Sequence, residues 1–268
     1  MSVLVGIHST DGVVLAADSA ATLGGFEGDT AIDTARKITV IGSTLVLGVA
    51  GSAGFNQKVV DALEHDSPVD YASLRPVQAM NRLEQALRPL MDQAMAVLQV
   101  ARSAHGDLVA GHIMGETLIA VPSTEGPQLV KINAAGTGCL YQELLFATIG
   151  EGQRTADPFM LWQKKVVWRD GQPNQSRAAL SAVWTVDYVV SRHPGRVGGE
   201  PAVSILTQTG PRSRVSTLSP DDISTHRKII ADAEAACSDS FSVLDPSEAA
   251  EIPNFGDRVG AQQAEQVG

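Results

Sequence analysis

Two apolar runs joined by a short polar turn open the chain and constrain its fold most. Val3-Leu4-Val5-Gly6-Ile7 is followed by H-S-T-D-G and then by Val13-Val14-Leu15-Ala16-Ala17, which stops on the carboxylate of Asp18. Runs of this length, separated by a turn ending in glycine, predict an antiparallel hairpin with little exposed surface. A second hairpin is predicted about Gly42-Ser43, from Lys37–Ile41 and Thr44–Val49, and Gly51 ends its second strand. Between the two lies a polar, glycine-rich stretch from Leu23 to Thr34 that reads as a loop.

Helical spacing takes over after the second hairpin. Phe55, Val59, Val60 and Leu63 share one face of a helix predicted over 53–64. Pro76 suits a first helical turn. From there Met80, Leu83, Leu87, Leu90, Met91 and Leu98 form a stripe out to Arg102, with Pro89 expected to kink or divide the helix. Strands are predicted at 117–121, 128–132 and 144–149, helices at 158–165 and 177–192, and closing strands at 202–207 and 214–217. Ser219-Pro220-Asp221-Asp222 reads as a capped helix start with acidic first-turn residues. Apolar periodicity fades after about residue 240, which predicts a domain over 2–240 and an acidic, flexible tail over 241–268. The order is not a strict strand–helix alternation. Antiparallel sheets with helices on their outer faces, an α+β chain arranged as an αββα sandwich, fit it best.

Composition narrows the function. The 268 residues are 44% hydrophobic, enough for a sizeable core, and the formal charge of −10 argues against nucleic acid or an anionic membrane as main partner. Cys139 and Cys237 stand far apart without metal-ligand spacing, which suits a reducing compartment. No apolar stretch approaches the roughly 20 residues that span a bilayer. The N-terminus lacks a basic start, and His8 and Asp11 break its apolar runs, so no signal peptide is read there. A cytoplasmic protein is expected.

The stretch S-V-L-V-G-I-H-S-T-D-G-V-V-L-A-A-D-S-A-A-T, then R-K-I, then L-G-V-A-G-S-A-G, resembles the N-terminal third of proteasome β-subunits and their bacterial ring-protease relatives. These are N-terminal-nucleophile hydrolases with an αββα fold. The family begins its mature chain at Thr, or Ser in some branches of the superfamily, and places an Asp sixteen residues later, a Lys at the third strand and a Gly after the fourth. Counted from Ser2, Asp18 falls on that spacing; Lys37 matches the lysine after a longer loop, and Gly51 matches the glycine. The likeness is good over 2–55, weaker but in order to about 240, and absent from the tail. I-G-E at 149–151 is similar to the bacterial ancestral β-subunit branch.

The resemblance implies a chemistry that needs these residue types. A serine hydroxyl is a weak nucleophile until a base takes its proton. A chain-terminal serine carries its own base, since an α-amino group has a pKa of about 7.7–8.0. Ser2 would supply both once Met1 is removed. Lys37 would be a fixed cation beside the hydroxyl, Asp18 would hold that lysine as a buried pair, and the Gly51 N–H would face the oxyanion. Self-assembly into a ring or spiral, a polypeptide substrate and an ATPase unfoldase as partner are also implied, with no cofactor and no metal.

Taken singly, each residue has a plainer reading. Ser2 is then an ordinary second residue, Asp18 a turn residue, Lys37 a solvated edge charge and Gly51 a turn. The sequence also departs from the family. Glu151 stands where the auxiliary serine of a G-S-G motif would fall. In the Asp-x-x-Ser-Gly-Gly element the pair Gly198-Gly199 is present, but Pro194 and Val197 occupy the polar positions; Asp187, earlier on the helix, substitutes only if the loop is rearranged. Other sites lack support: the histidines show no metal spacing, His105 and His112 included, and no G-x-S-x-G elbow occurs. Trp162, Trp168 and Trp184 read as core or subunit contacts. The leading expectation is a peptidase. A catalytically inactive assembly protein that keeps Met1, and an amidase for a small substrate, are the alternatives.

Overall fold

The computed structural model describes residues 2–23, 31–42, 44–66, 69–105, 114–193, 197–210 and 212–242. Residues up to His226 form one unit and those from Arg227 a second. The first contains two five-stranded antiparallel sheets. One has the order β10 (Phe146–Ile149), β1 (Leu4–Ser9), β2 (Gly12–Ala17), β11 (Ala202–Thr209), β12 (Arg212–Thr217). The other has the order β5 (Ile38–Ile41), β6 (Leu45–Ala50), β7 (Glu116–Val121), β8 (Gln128–Ile132), β9 (Gly138–Leu140). Both hairpins form as expected, with Leu4 opposite Ala17 and Ile38 opposite Gly48.

The unbroken apolar runs of β1 and β2 follow from burial on both faces. Leu4, Val13, Leu15 and Ala17 point between the sheets, where they meet Val46, Leu118, Ala120 and Leu129 of the second sheet. Val5, Ile7, Val14 and Ala16 point the other way and are equally buried. That face is covered by helix α4 (Gln175–Arg192), whose buried residues include Ala178, Ala182, Val183, Val186 and Val189. Helix α3 (Gln153–Val166) packs beside α4 and against β10. On the outer face of the second sheet lie α1 (Ala53–His65) and α2 (Pro76–His105). Phe55, Val59 and Leu63 of α1 and Leu83, Leu87 and Met91 of α2 close a core there with Leu47, Ile119 and Val130. Each such side chain contributes about 1.5–3 kcal/mol on burial. The layers are therefore helix, sheet, sheet, helix: the αββα sandwich read from the sequence.

Caps fix where the helices begin. Ser52 Oγ accepts the Phe55 N–H at the start of α1, and Asn174 Oδ1 accepts the Arg177 N–H at the start of α4. Helix α5 (Pro220–Ser242) starts on a reciprocal pair, Asp222 N–H to Ser219 Oγ and Ser219 N–H to Asp222 Oδ2.

Four expectations need correction. The ends of the Leu23–Thr34 stretch are not loop: β3 (Ala20–Leu23) and β4 (Ala31–Thr34) pair as a small hairpin, with 24–30 outside the described residues. Pro89 does not divide α2, which runs on as one helix. The missing hydrogen bond is outweighed by the stripe Leu83, Leu87, Met91, Ala94 and Leu98, buried on both sides of the proline. Helix α3 starts five residues before Pro158, not at it. The strand drawn from Leu144 begins at Phe146, because Leu145 takes a left-handed φ of 70° and Leu144 is exposed. The short strand β9 was not anticipated. Of the proposed tail, the part from 243, like His112 and Pro194, lies outside the described residues.

Candidate functional site

The site is built at the ends of strands. Asp18 follows β2 and is fully buried, as the apolar run leading to it requires. Its backbone N–H extends the β1–β2 ladder to the Val3 carbonyl at 3.3 Å, which sets Asp18 opposite the residue after Ser2. The carboxylate then takes three donors. Oδ1 accepts the Val3 N–H at 2.9 Å and Lys37 Nζ at 2.7 Å; Oδ2 accepts the Gly198 N–H at 3.2 Å. A buried carboxylate needs this company, since an isolated ion away from water is very costly.

Lys37 immediately precedes β5, on the other sheet. Its side chain crosses the gap between the sheets and is 9% exposed. Burial pushes its ammonium below the ordinary lysine value, and the Asp18 charge and hydrogen bond oppose that shift. A lysine held this way is a positive charge with a lowered cost of giving up its proton.

Ser2 is held from the opposite side by a loop that follows β10. Its carbonyl accepts the Gly152 N–H at 3.1 Å. Gly150 has φ +90°, and a Cβ there would overlap the Ser2 carbonyl oxygen. Gly152 is as crowded: a Cβ would come within 2.8 Å of Val3 Cβ and of Val189 Cγ1. The same added Cβ at Gly150 would come within 3.4 Å of Ala50 Cβ, at the end of β6. Gly51, next after Ala50, packs on the backbone of Gly115 and Met114 and is exposed.

Of Ser2, Asp18, Lys37 and Gly51, picked out from spacing, Asp18 and Lys37 pair directly and Asp18 also binds the Val3 amide next to Ser2, whereas the neighbours of Gly51 are Gly115, Met114 and Phe55. Glu151 is exposed at the tip of its turn, and Asp187 is half-buried on α4. Val197 is 4% exposed, an apolar anchor where the family pattern has a polar residue. The backbone donors of Gly152 and Gly198 were not read from the sequence as holding Ser2 and Asp18. Their only signal was the two glycine pairs, G-E-G and G-G, following the strand and the helix.

A second ion pair lies near the end of the central strands. Glu116, opposite Ala50 in the ladder, accepts Lys131 Nζ at 3.0 Å, and the same Nζ donates to the Thr148 carbonyl of β10 at 3.3 Å. It ties the two sheets together below the loop that holds Ser2. Among the described residues no group of three or more His, Cys, Asp or Glu is placed to hold a metal, and no helix is long and apolar enough to cross a membrane.

Comparison with known proteins bears on the fold and the family. No curated protein matches the chain. Among solved structures it is similar to the Anbu (Gly-1) mutant from Hyphomicrobium sp. strain MC1, with 20% identity and a TM-score of 0.61 over 95% of this chain and 99% of that one. At that identity the likeness carries the fold. The family model for "Proteasome subunit" matches residues 2–166, more than half of the sequence and all of the site except the Gly198 side of Asp18. The chain belongs to the proteasome subunit family.

Proposed function

We propose that the protein is a self-compartmentalising peptidase that uses Ser2 as an N-terminal nucleophile after Met1 is cut off. The observation that carries this reading is the double use of Asp18 Oδ1, which accepts both Lys37 Nζ and the amide joining Ser2 to Val3. A cation is thereby tied within a few bonds of the serine, where it favours the ionised hydroxyl and the neutral terminal amine. The freed amine takes the hydroxyl proton, the oxygen attacks the scissile carbonyl, and the Gly51 N–H stabilises the oxyanion. The amine returns the proton to the leaving group. It then activates the water that hydrolyses the Ser2 ester. Assembly into a ring or spiral that sequesters the site, a cytoplasmic location and an ATPase unfoldase feeding it belong to the same proposal.

Intact-mass measurement of the purified protein tests the first step: loss of Met1 is expected. A peptide boronate or epoxyketone should then label Ser2 covalently, and Ser2→Ala should abolish both labelling and peptide hydrolysis. Full activity in Ser2→Ala would overturn the assignment. The buried apolar Val197 favours one second reading, a non-catalytic assembly protein on the same scaffold, whose mark is a retained Met1.

A further inference from the structure

The contacts around Ser2 and Asp18 continue through one pair of side chains into a closed circuit. The Ser2 carbonyl accepts the Gly152 N–H at 3.1 Å, and the Gly152 carbonyl accepts the Thr155 N–H at 3.1 Å in the first turn of α3. Thr155 Oγ1 and His193 Nε2 share a hydrogen bond of 2.7 Å. His193 caps the C-terminus of α4, and its carbonyl accepts the Val197 N–H at 3.3 Å. The next residue, Gly198, donates to Asp18 Oδ2, while Asp18 Oδ1 accepts the Val3 N–H, which returns the circuit to Ser2. All other links are backbone groups or the Asp18 carboxylate. Thr155–His193 is the one contact between two side chains in the circuit, and it joins the loop that holds Ser2 to the loop that holds Asp18.

We propose that His193 and Thr155 are positioning residues that set the distance between Ser2 and the Asp18–Lys37 pair. This rests on the reading of Ser2 as nucleophile. In this chain the 197–199 segment meets Asp18 by its backbone alone, with Val197 buried; the Gly198 carbonyl is held by the Ser19 and Ala20 N–H groups, and the upstream end is held through His193. His193 anchors it at one end and reaches α3 with its ring. Orientation of reacting groups is where a small displacement costs most, and a shift of one ångström lowers turnover by roughly 100-fold.

The test uses the full chain with Thr155→Val, which keeps the shape of the side chain, and with His193→Phe, His193→Gln and the Thr155→Val/His193→Phe double variant. Amide hydrogen exchange is followed in peptides covering 150–156 and 197–203, and kcat and KM are measured on a fluorogenic peptide. Either single loss should speed exchange roughly tenfold in both segments, as expected for a broken hydrogen bond. The double variant should add nothing further, and His193→Gln, which still offers a hydrogen-bonding amide, should restore the slow rate. Turnover should fall roughly tenfold at unchanged KM. Exchange that rises only on the mutated side, a double variant that adds the two effects, no rescue by glutamine, or unchanged kcat would overturn the proposal. If the parent protein itself hydrolyses nothing, the peptidase reading has failed and the exchange results alone decide on the clasp.

Discussion

Lys37 and Asp18 meet at 2.7 Å across the gap between two sheets, the lysine entering from the residue before β5 and the aspartate from the end of β2. The ion pair is thus a tie between layers as well as part of the candidate site. Removing either partner takes from the other, which stays buried, the opposite charge that it meets at 2.7 Å. Asp18→Asn should therefore destabilise the protein by about 3–5 kcal/mol, read as a lowered urea midpoint. Lys37→Met should cost a similar amount, for it strands Asp18 with only its two backbone donors. A loss under about 1 kcal/mol, the range of an exposed pair, would contradict the burial.

The lowered proton affinity of Lys37 gives stability a definite pH dependence. Between the depressed value and the ordinary 10.5, the folded chain binds fewer protons at this site than the unfolded chain. Its contribution therefore grows as pH rises through that window, is complete above 10.5 and is lost on the acid side. Urea midpoints taken at a series of alkaline pH values should carry this upward component in the parent protein and lack it in Lys37→Met.

Tyr71 acts in the opposite sense and far from the site. Its hydroxyl donates to Asp66 Oδ2 at 2.6 Å, and Arg82 holds the same carboxylate at the C-terminal cap of α1. Burial and the Asp66 charge push the phenol well above its ordinary 10.0. The folded chain keeps this proton where the unfolded chain loses it, so the contribution is full below 10.0 and disappears as pH rises above it. Tyr71→Phe should cost about 1–3 kcal/mol near neutral pH and flatten the alkaline fall of the melting temperature. An unchanged alkaline limb would remove Tyr71 as its source.

Gly150 and Gly126 offer a matched pair of substitutions. Both have positive φ, +90° and +93°, but a Cβ at Gly126 meets nothing within 4 Å, whereas at Gly150 it strikes the Ser2 carbonyl. Gly126→Ala should cost about 1–2 kcal/mol from backbone strain alone. Gly150→Ala should cost clearly more by thermal denaturation and displace Ser2, which a changed exchange rate at the Gly152 amide would report. Equal losses at the two positions would mean that the loop yields without moving Ser2.

The features that could be read beforehand were those carried by side-chain pattern. Runs such as Val13–Ala17 and Leu45–Ala50, each bounded by a turn, gave strand and register together because burial on both faces permits few alternatives. The spacing from Ser2 to Asp18 was visible through the resemblance, and it corresponds to the length of one hairpin. What could not be read was carried by backbone groups or by distant partners. A-A-T-L and A-I-D-T become strands only by pairing with each other across a glycine-rich insert. Pro89 is a helix breaker by its own chemistry, overruled by side chains packed on another layer. The donors at Gly152 and Gly198 have no side chain through which a sequence could announce them.

The strand order also sets a timetable. Of the described strands, β1 and β2 are made before the others, yet they occupy the middle of their sheet, flanked by β10 and β11. Until residues 146–149 and 202–209 are made, the opening hairpin has bare edges on both sides. The Ser2 carbonyl likewise waits for Gly152, and Asp18 for Gly198. A nascent chain therefore leaves the Ser2 carbonyl unclasped until residue 152 is made, and the Asp18 carboxylate lacks its Gly198 donor until residue 198 is made. The proposed cleavage after Met1 has its widest opening then, before the Gly152 N–H clasps the Ser2 carbonyl.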